Sequence, residues 1–293
     1  MRRRRLANRL VLLGSLVGAM LLAAAGIAVA AGEYGAECTE CHEETFAEGI
    51  HSKVAYYGEE RNCETCHSGA AEHAKSEGDA AVVSPGKVDG EKASEICLDC
   101  HSKDKAQMFW KGSVHESQEL GCTSCHAVHG GRENLMAASN QMNVCFTCHF
   151  DVRADLFKRS KHPMRDSSRP SREGKMTCSL CHNPHGAPSE PLIDAASIND
   201  KCYECHYEKR APVLWEHTPV KEDCMTCHTP HGSSVNKLLV TRVPRLCQEC
   251  HMQGRHQSGT LGVNSVFVFN RGCLNCHSQV HGSNSPSGAI LQR

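Results

Sequence analysis

Aromatic side chains are scarce in this 293-residue chain, which has seven Phe, five Tyr and two Trp. So few rings exclude a conventional aromatic-rich core, although small residues lift the apolar fraction to 40%. Beyond residue 30 the sequence has no apolar run near the roughly 18 residues that a membrane helix requires. Positive charge is not in excess either. Lys and Arg number 32 against 33 Asp and Glu, and five of those bases (Arg2, Arg3, Arg4, Arg5, Arg9) lie in the first 30 residues, which contain no acid. The remainder therefore carries 27 bases against 33 acids, a net charge of −6, which excludes the basic footprint of a nucleic-acid binder.

Cysteine and histidine are abundant instead, with twenty of each, and usage that high makes cysteine chemistry the organising principle. Residues 1–30 have the pattern of a signal peptide. A basic start precedes the uncharged stretch Val11 to Ala30, which ends in the small-x-small site Ala28-Val29-Ala30. The same stretch is long enough for an uncleaved anchor, but its Ala and Gly content favours cleavage. The arginines do not complete a twin-arginine pattern, so the chain is expected to be exported unfolded and to reside in the periplasm.

The block C-x-x-C-H begins at Cys38, Cys63, Cys97, Cys122, Cys145, Cys178, Cys202, Cys224, Cys247 and Cys273. Its second cysteines are Cys41, Cys66, Cys100, Cys125, Cys148, Cys181, Cys205, Cys227, Cys250 and Cys276, so ten blocks consume every thiol. Starts are 22 to 34 residues apart, which makes this an internal repeat. C-x-x-C-H is the attachment sequence of c-type haem. Within one helical turn the two cysteines reach the two vinyl groups of one porphyrin, and the adjacent imidazole meets the iron. The proximal histidines are then His42, His67, His101, His126, His149, His182, His206, His228, His251 and His277. Structural zinc would need paired C-x-x-C units and no histidine after each one. Ten disulfides spanning two residues apiece would staple nothing long-range, and thioredoxin-like pairs would need a βαβ context that is missing here.

Ten histidines remain: His51, His73, His115, His129, His162, His185, His217, His231, His256 and His281, one following each block. A lone surface histidine is usually unremarkable, but this one-to-one alternation supplies one distal ligand per iron. The expectation is ten covalently bound haem c groups, all with two histidine ligands. A methionine such as Met252 could replace one distal ligand, since Met also serves as an axial ligand. With no open iron position and no C-x-x-C-K variant, electron transfer is favoured over catalysis.

The distal candidates fall into two classes. After even-numbered blocks the spare histidine is close and usually precedes Gly, as in "CHAVHG", "CHNPHG" and "CHTPHG"; after most odd-numbered blocks it is farther away. Five dihaem modules follow, at about 38–73, 97–129, 145–185, 202–231 and 247–281. Residues three apart on a helix share one face, so His129 cannot sit opposite His126 across one porphyrin. The spacing suggests a swap within each module, the close histidine serving the first haem and the far one the second. His129 would then serve the haem of His101, and His217 that of His228. The fold class is a multihaem cytochrome c, in which short α-helices and Gly/Pro-rich loops such as 82–90 wrap a chain of ten haems, with very little β. Trp110, Phe157 and Trp215 are expected against porphyrin faces, and "SVFVF" at 265–269 has the pattern of a short strand.

The ten blocks, the recurrent "CHxPHG" and the closing "NRGCLNCHSQVHGSNSPSG" resemble the periplasmic decahaem cytochromes of the MtrA/DmsE type, with the iron-oxidation relatives MtoA and PioA. The resemblance implies two pentahaem halves, here 31–170 and 171–293, and insertion in an outer-membrane β-barrel porin. It further implies an extracellular multihaem cytochrome and a periplasmic or inner-membrane electron donor or acceptor as partners, and extracellular electron transfer in metal reduction or Fe(II) oxidation. Two other readings stay open. One is a free periplasmic carrier to a terminal reductase such as dimethyl sulfoxide reductase; the other is a multihaem reductase with one open iron.

Overall fold

The computed structural model describes residues 38, 41–42, 51, 63–129, 136, 141–164, 176–210, 212–252 and 272–292. The leader, His256, the segment 265–269 and the division at 170/171 lie outside them. Among the described residues the helices are short, the longest being Gly90–His101 with 12 residues, and extended pairing is confined to isolated bridges. This is the expected helix-and-loop fold. The buried apolar side chains among them are few: Ala93, Trp110, Val144, Leu156, Ile193 and Leu291. A chain of this size normally buries a large core, so side-chain packing alone does not hold it together.

Blocks two to ten each form one turn of helix. The histidine N–H donates to the first cysteine's carbonyl in block after block, as in His67 to Cys63 (2.8 Å), His126 to Cys122 (2.9 Å) and His277 to Cys273 (2.9 Å). The entry into that turn alternates along the chain. Blocks three, five, seven and nine are reached through the α-helices Gly90–His101, Gln141–Cys145, Ile198–Tyr203 and Arg245–Gln248. Blocks four, six, eight and ten start directly in 3-10 turns at Cys122–Ser124, Cys178–Leu180, Cys224–Thr226 and Cys273–Asn275. Side-chain caps fix where several of these turns begin. Asp89 accepts from the Lys92 N–H at 2.8 Å, Ser197 from Asp200 at 3.1 Å and Asp223 from Met225 at 2.8 Å, each satisfying an amide that the helix start leaves unpaired.

Polar ties join the two blocks of a module. Gly90 and Gly121 touch backbone to backbone, where a Cβ on Gly90 would meet the Glu119 carbonyl oxygen at 2.1 Å. The Gln141 amide donates to Ser179 Oγ at 2.9 Å and accepts from the Ser179 N–H at 3.1 Å. Asn199, 9% exposed, accepts from the Cys224 N–H at 2.8 Å and donates to the Lys221 carbonyl at 3.1 Å.

A second set of ties joins different modules and repeats along the chain. The stretch before a far histidine lies against the H-G stretch three blocks later. Ser160 and Ser233 exchange both backbone hydrogen bonds (3.0 and 2.8 Å), as do Trp215 and Ser283 (3.0 and 2.9 Å). Here the glycine of the H-G pair has its reason. A Cβ would meet the Phe109 carbonyl oxygen at 2.1 Å from Gly186 and the Asp155 carbonyl oxygen at 1.9 Å from Gly232. Gly186 also has φ +109°, a region that disfavours any side chain.

Gly186→Ala in the holoprotein is expected to lower the thermal midpoint by several degrees, since both strain (about 1–3 kcal/mol) and the clash oppose it. Gly86→Ala, where a Cβ meets nothing within 4 Å, should leave the midpoint unmoved. Differential scanning calorimetry of the two variants checks this, and equal midpoints would contradict the close-approach account.

Candidate functional site

All ten proximal histidines and nine of the ten distal candidates line one continuous cavity of about 5120 Å³, with the first cysteine of every block. A cavity for one drug-sized ligand measures about 300–1,000 Å³, so this space suits a row of large groups rather than a single small one.

The imidazoles inside it stand in pairs. Their ring centres are separated by 6.5 Å for His42 and His73, 6.1 Å for His51 and His101, 5.8 Å for His67 and His129, and 6.2 Å for His115 and His149. Further along they are 6.0 Å for His126 and His185, 6.4 Å for His162 and His206, and 6.0 Å for His182 and His231. The series ends with 6.1 Å for His217 and His251 and 6.2 Å for His228 and His281. An imidazole bonds a transition metal at about 2 Å with its ring centre about 1 Å further back, so two rings on opposite sides of one ion sit about 6 Å apart. Every pair joins one block histidine to one spare histidine. Of the remaining two, His277 is described and His256 is not.

The pairing follows a rule that differs from a swap within modules. Far histidines of blocks one, three, five and seven stand beside the proximal histidine two blocks ahead, whereas close histidines of blocks four, six, eight and ten stand beside the one two blocks behind. Thus His129 faces His67 rather than His101, and His217 faces His251 rather than His228. Only His73 with His42 keeps to its own module in the expected way. The locks between modules favour this, far histidines reaching forward to the next module and close ones, His73 apart, back to the one before. The same geometry separates the neighbours His126 and His129, which face His185 and His67. Among the described residues no three His, Cys, Asp or Glu side chains converge as a metal-ion site.

The cysteines order the blocks in space. Cys97 lies in hydrogen-bonding contact with Cys122, Cys145 with Cys178, Cys202 with Cys224 and Cys247 with Cys273. Donation from Cys97 holds that thiol above its ordinary value and lowers Cys122. Between modules the second cysteines approach: Cys125 feels Cys148, Cys181 feels Cys205 and Cys227 feels Cys250. Blocks three to ten therefore run in file in chain order, a point the spacing alone left open.

Eight described histidines place Nδ1 against a backbone carbonyl at 2.6–3.0 Å. A carbonyl only accepts, so Nδ1 carries the proton and Nε2 presents its lone pair, the tautomer a metal ligand requires. Three of these acceptors are regular: His115 donates to Pro184, His162 to Pro230 and His217 to Val280, each acceptor directly preceding a close histidine. Burial first, then the nearby His126, holds His185 below its ordinary pKa; burial first, then His182, does the same for His231. In both rings this favours the neutral form. Trp110 is buried, edge-on to His185 at 6.4 Å, Phe157 is 80% exposed, and the Trp215 ring lies over Gly288. Met252 is 83% exposed. Sequence reading missed Gly90, Gln141 and Asn199, because no spacing rule marks a residue that merely ties two blocks.

Comparison with known proteins places these features in a family. A doubled CXXCH motif matches residues 169–211 and 217–256, and a cytochrome c-type protein NrfB-like model matches 63–148. The multiheme cytochrome MtrA of Shewanella baltica (strain OS185) is 42% identical over 278 residues, 87% of this chain and 80% of that relative. Cytochrome c-type protein TorC of Escherichia coli (strain K12) is 28% identical over 130 residues, 39% of this chain and 33% of TorC. Cytochrome c-type protein NrfB of Haemophilus influenzae (strain ATCC 51907 / DSM 11121 / KW20 / Rd) is 24% identical over 103 residues, 31% of this chain and 45% of NrfB. Identity of 42% across 80% of the first relative, joined to blocks folded to carry covalently bound haem c, makes this chain a member of the MtrA family of multihaem c-type cytochromes.

Proposed function

We propose that the chain binds ten haems, each between two histidines, and acts as an electron wire across the outer membrane inside a β-barrel porin. One observation carries this reading: nine histidine pairs, each spaced to take one iron between the rings and each joining a block histidine to a spare one. The count of histidines assigns His256 to the iron of His277 as the tenth pair. Each block's two cysteines anchor the porphyrin as thioethers. The haem iron supplies one-electron chemistry, and two imidazoles leave it no position for a substrate.

Blocks in file suit a long conduit, and ten haems in a row outreach a bilayer of about 40–45 Å. No helix among the described residues is long and apolar enough to cross a membrane, and irregular polar backbone is not tolerated against lipid. A sheath around the chain is therefore a physical requirement of the transmembrane reading. Residue 30 as a signal cleavage point would put the chain in the periplasm, with the sheath in the outer membrane. An extracellular multihaem cytochrome at one end and a periplasmic or inner-membrane donor or acceptor at the other complete the route.

Electron paramagnetic resonance of the oxidised protein should show low-spin iron throughout. His129→Ala should add a high-spin signal of about one haem in ten, since one iron loses an axial ligand; an unchanged spectrum would remove His129 from the ligand set. A pull-down from outer-membrane extract should retain a β-barrel protein. Failure to retain one would leave the free periplasmic carrier as the better account.

A further inference from the structure

The histidines differ in what their outer nitrogen meets. Eight donate to backbone carbonyls, which are neutral. His101 instead places Nδ1 at 2.7 Å from Asp104 Oδ2, a carboxylate. The contact is built into the fold. His101 ends the helix Gly90–His101, and the Asp104 N–H donates back to the His101 carbonyl at 3.1 Å. The turn then runs into the 3-10 segment Lys105–Gln107, whose Gln107 N–H donates to the Asp104 carbonyl at 3.1 Å. The nearest counterpart, Glu208 beside His206, stands at 3.9 Å, too far for a hydrogen bond.

We infer that Asp104 is a potential-setting residue, which makes the haem of His101 and His51 easier to oxidise than the haems whose histidines meet carbonyls. The inference rests on the two-histidine reading above. A carboxylate that accepts the Nδ1 proton makes the imidazole more basic toward iron. Its negative charge also favours ferric over ferrous iron, because reduction adds one electron and removes one positive charge from the metal. No proton leaves the His101–Asp104 pair in that step, so the effect is electrostatic and is felt as a lower potential. The pair would give the file a low step at its third position, where an electron pauses least.

The test is Asp104→Asn in the full holoprotein, since Asn keeps an acceptor of the same shape and drops the charge. Spectroelectrochemical titration should show one electron's worth of the total moving to more positive potential. The expected size is about a tenfold change in that haem's ferric-to-ferrous ratio at fixed potential, which is 59 mV for one electron. Asp104→Glu should restore most of the original curve, and Glu208→Gln should move nothing. Superimposable curves for Asp104→Asn and the unsubstituted protein would overturn the inference. So would a high-spin signal confined to Asp104→Asn, because Asp104 would then be holding the ligand in place rather than tuning it. High-spin iron in the unsubstituted protein is a separate result, and it would defeat the two-histidine reading itself.

Discussion

Two imidazoles about 6 Å apart, one from a C-x-x-C-H block and one from elsewhere in the chain, are the contact on which the rest of this structure depends. In eight of the nine described pairs the second ring comes from two blocks away. An iron held by such a pair would close a loop of chain much as a crosslink does, and the gain from closing loops grows with their length. With so few buried apolar side chains among the described residues, these closures would take the place of a core. Folding would then be coupled to haem attachment, as it is in small metal-dependent domains.

The backbone accommodates the closures by approaching itself closely at fixed points. Gly186, Gly232 and Gly282 follow close histidines, and at each a Cβ would strike the stretch that carries a far histidine. At the same junctions the far histidine donates Nδ1–H to the carbonyl just before the close one. Under the proposed ligation the H-G pair would therefore serve two irons at once. Its histidine would face one, and its preceding carbonyl would orient the ligand of the next.

Much of this was legible in the sequence. The ten blocks, the alternation of spare histidines, the two spacing classes and the grouping into modules are all one-dimensional facts, and the first cysteines of the second to fifth modules do meet. The partner of each spare histidine was not legible. From spacing, His129 serves the haem next to its own, yet its ring faces His67. Sequence distance measures reach but not direction, and direction is set by locks such as Ser160 with Ser233 and Trp215 with Ser283. Those locks are backbone hydrogen bonds between irregular segments, which leave no side-chain periodicity to read. Asn199 was invisible for a related reason: one buried amide that ties two blocks has no motif.

The pairing rule also bears on how a wire of this kind keeps its spacing. Far histidines connect odd-numbered blocks to odd-numbered ones, and close histidines connect even to even, giving two interleaved rails. His73 beside His42 joins the rails near the start. Elsewhere they are held together by first cysteines within a module and by second cysteines between modules. Once the cysteines are thioethers, successive porphyrins are fixed by covalent anchors on one rail facing covalent anchors on the other. Interior side chains repack when a neighbour changes, whereas a bond to sulfur or iron does not. A conduit passes electrons only as fast as its longest gap allows, so rails of this construction would keep the gaps from block three onward from depending on soft packing.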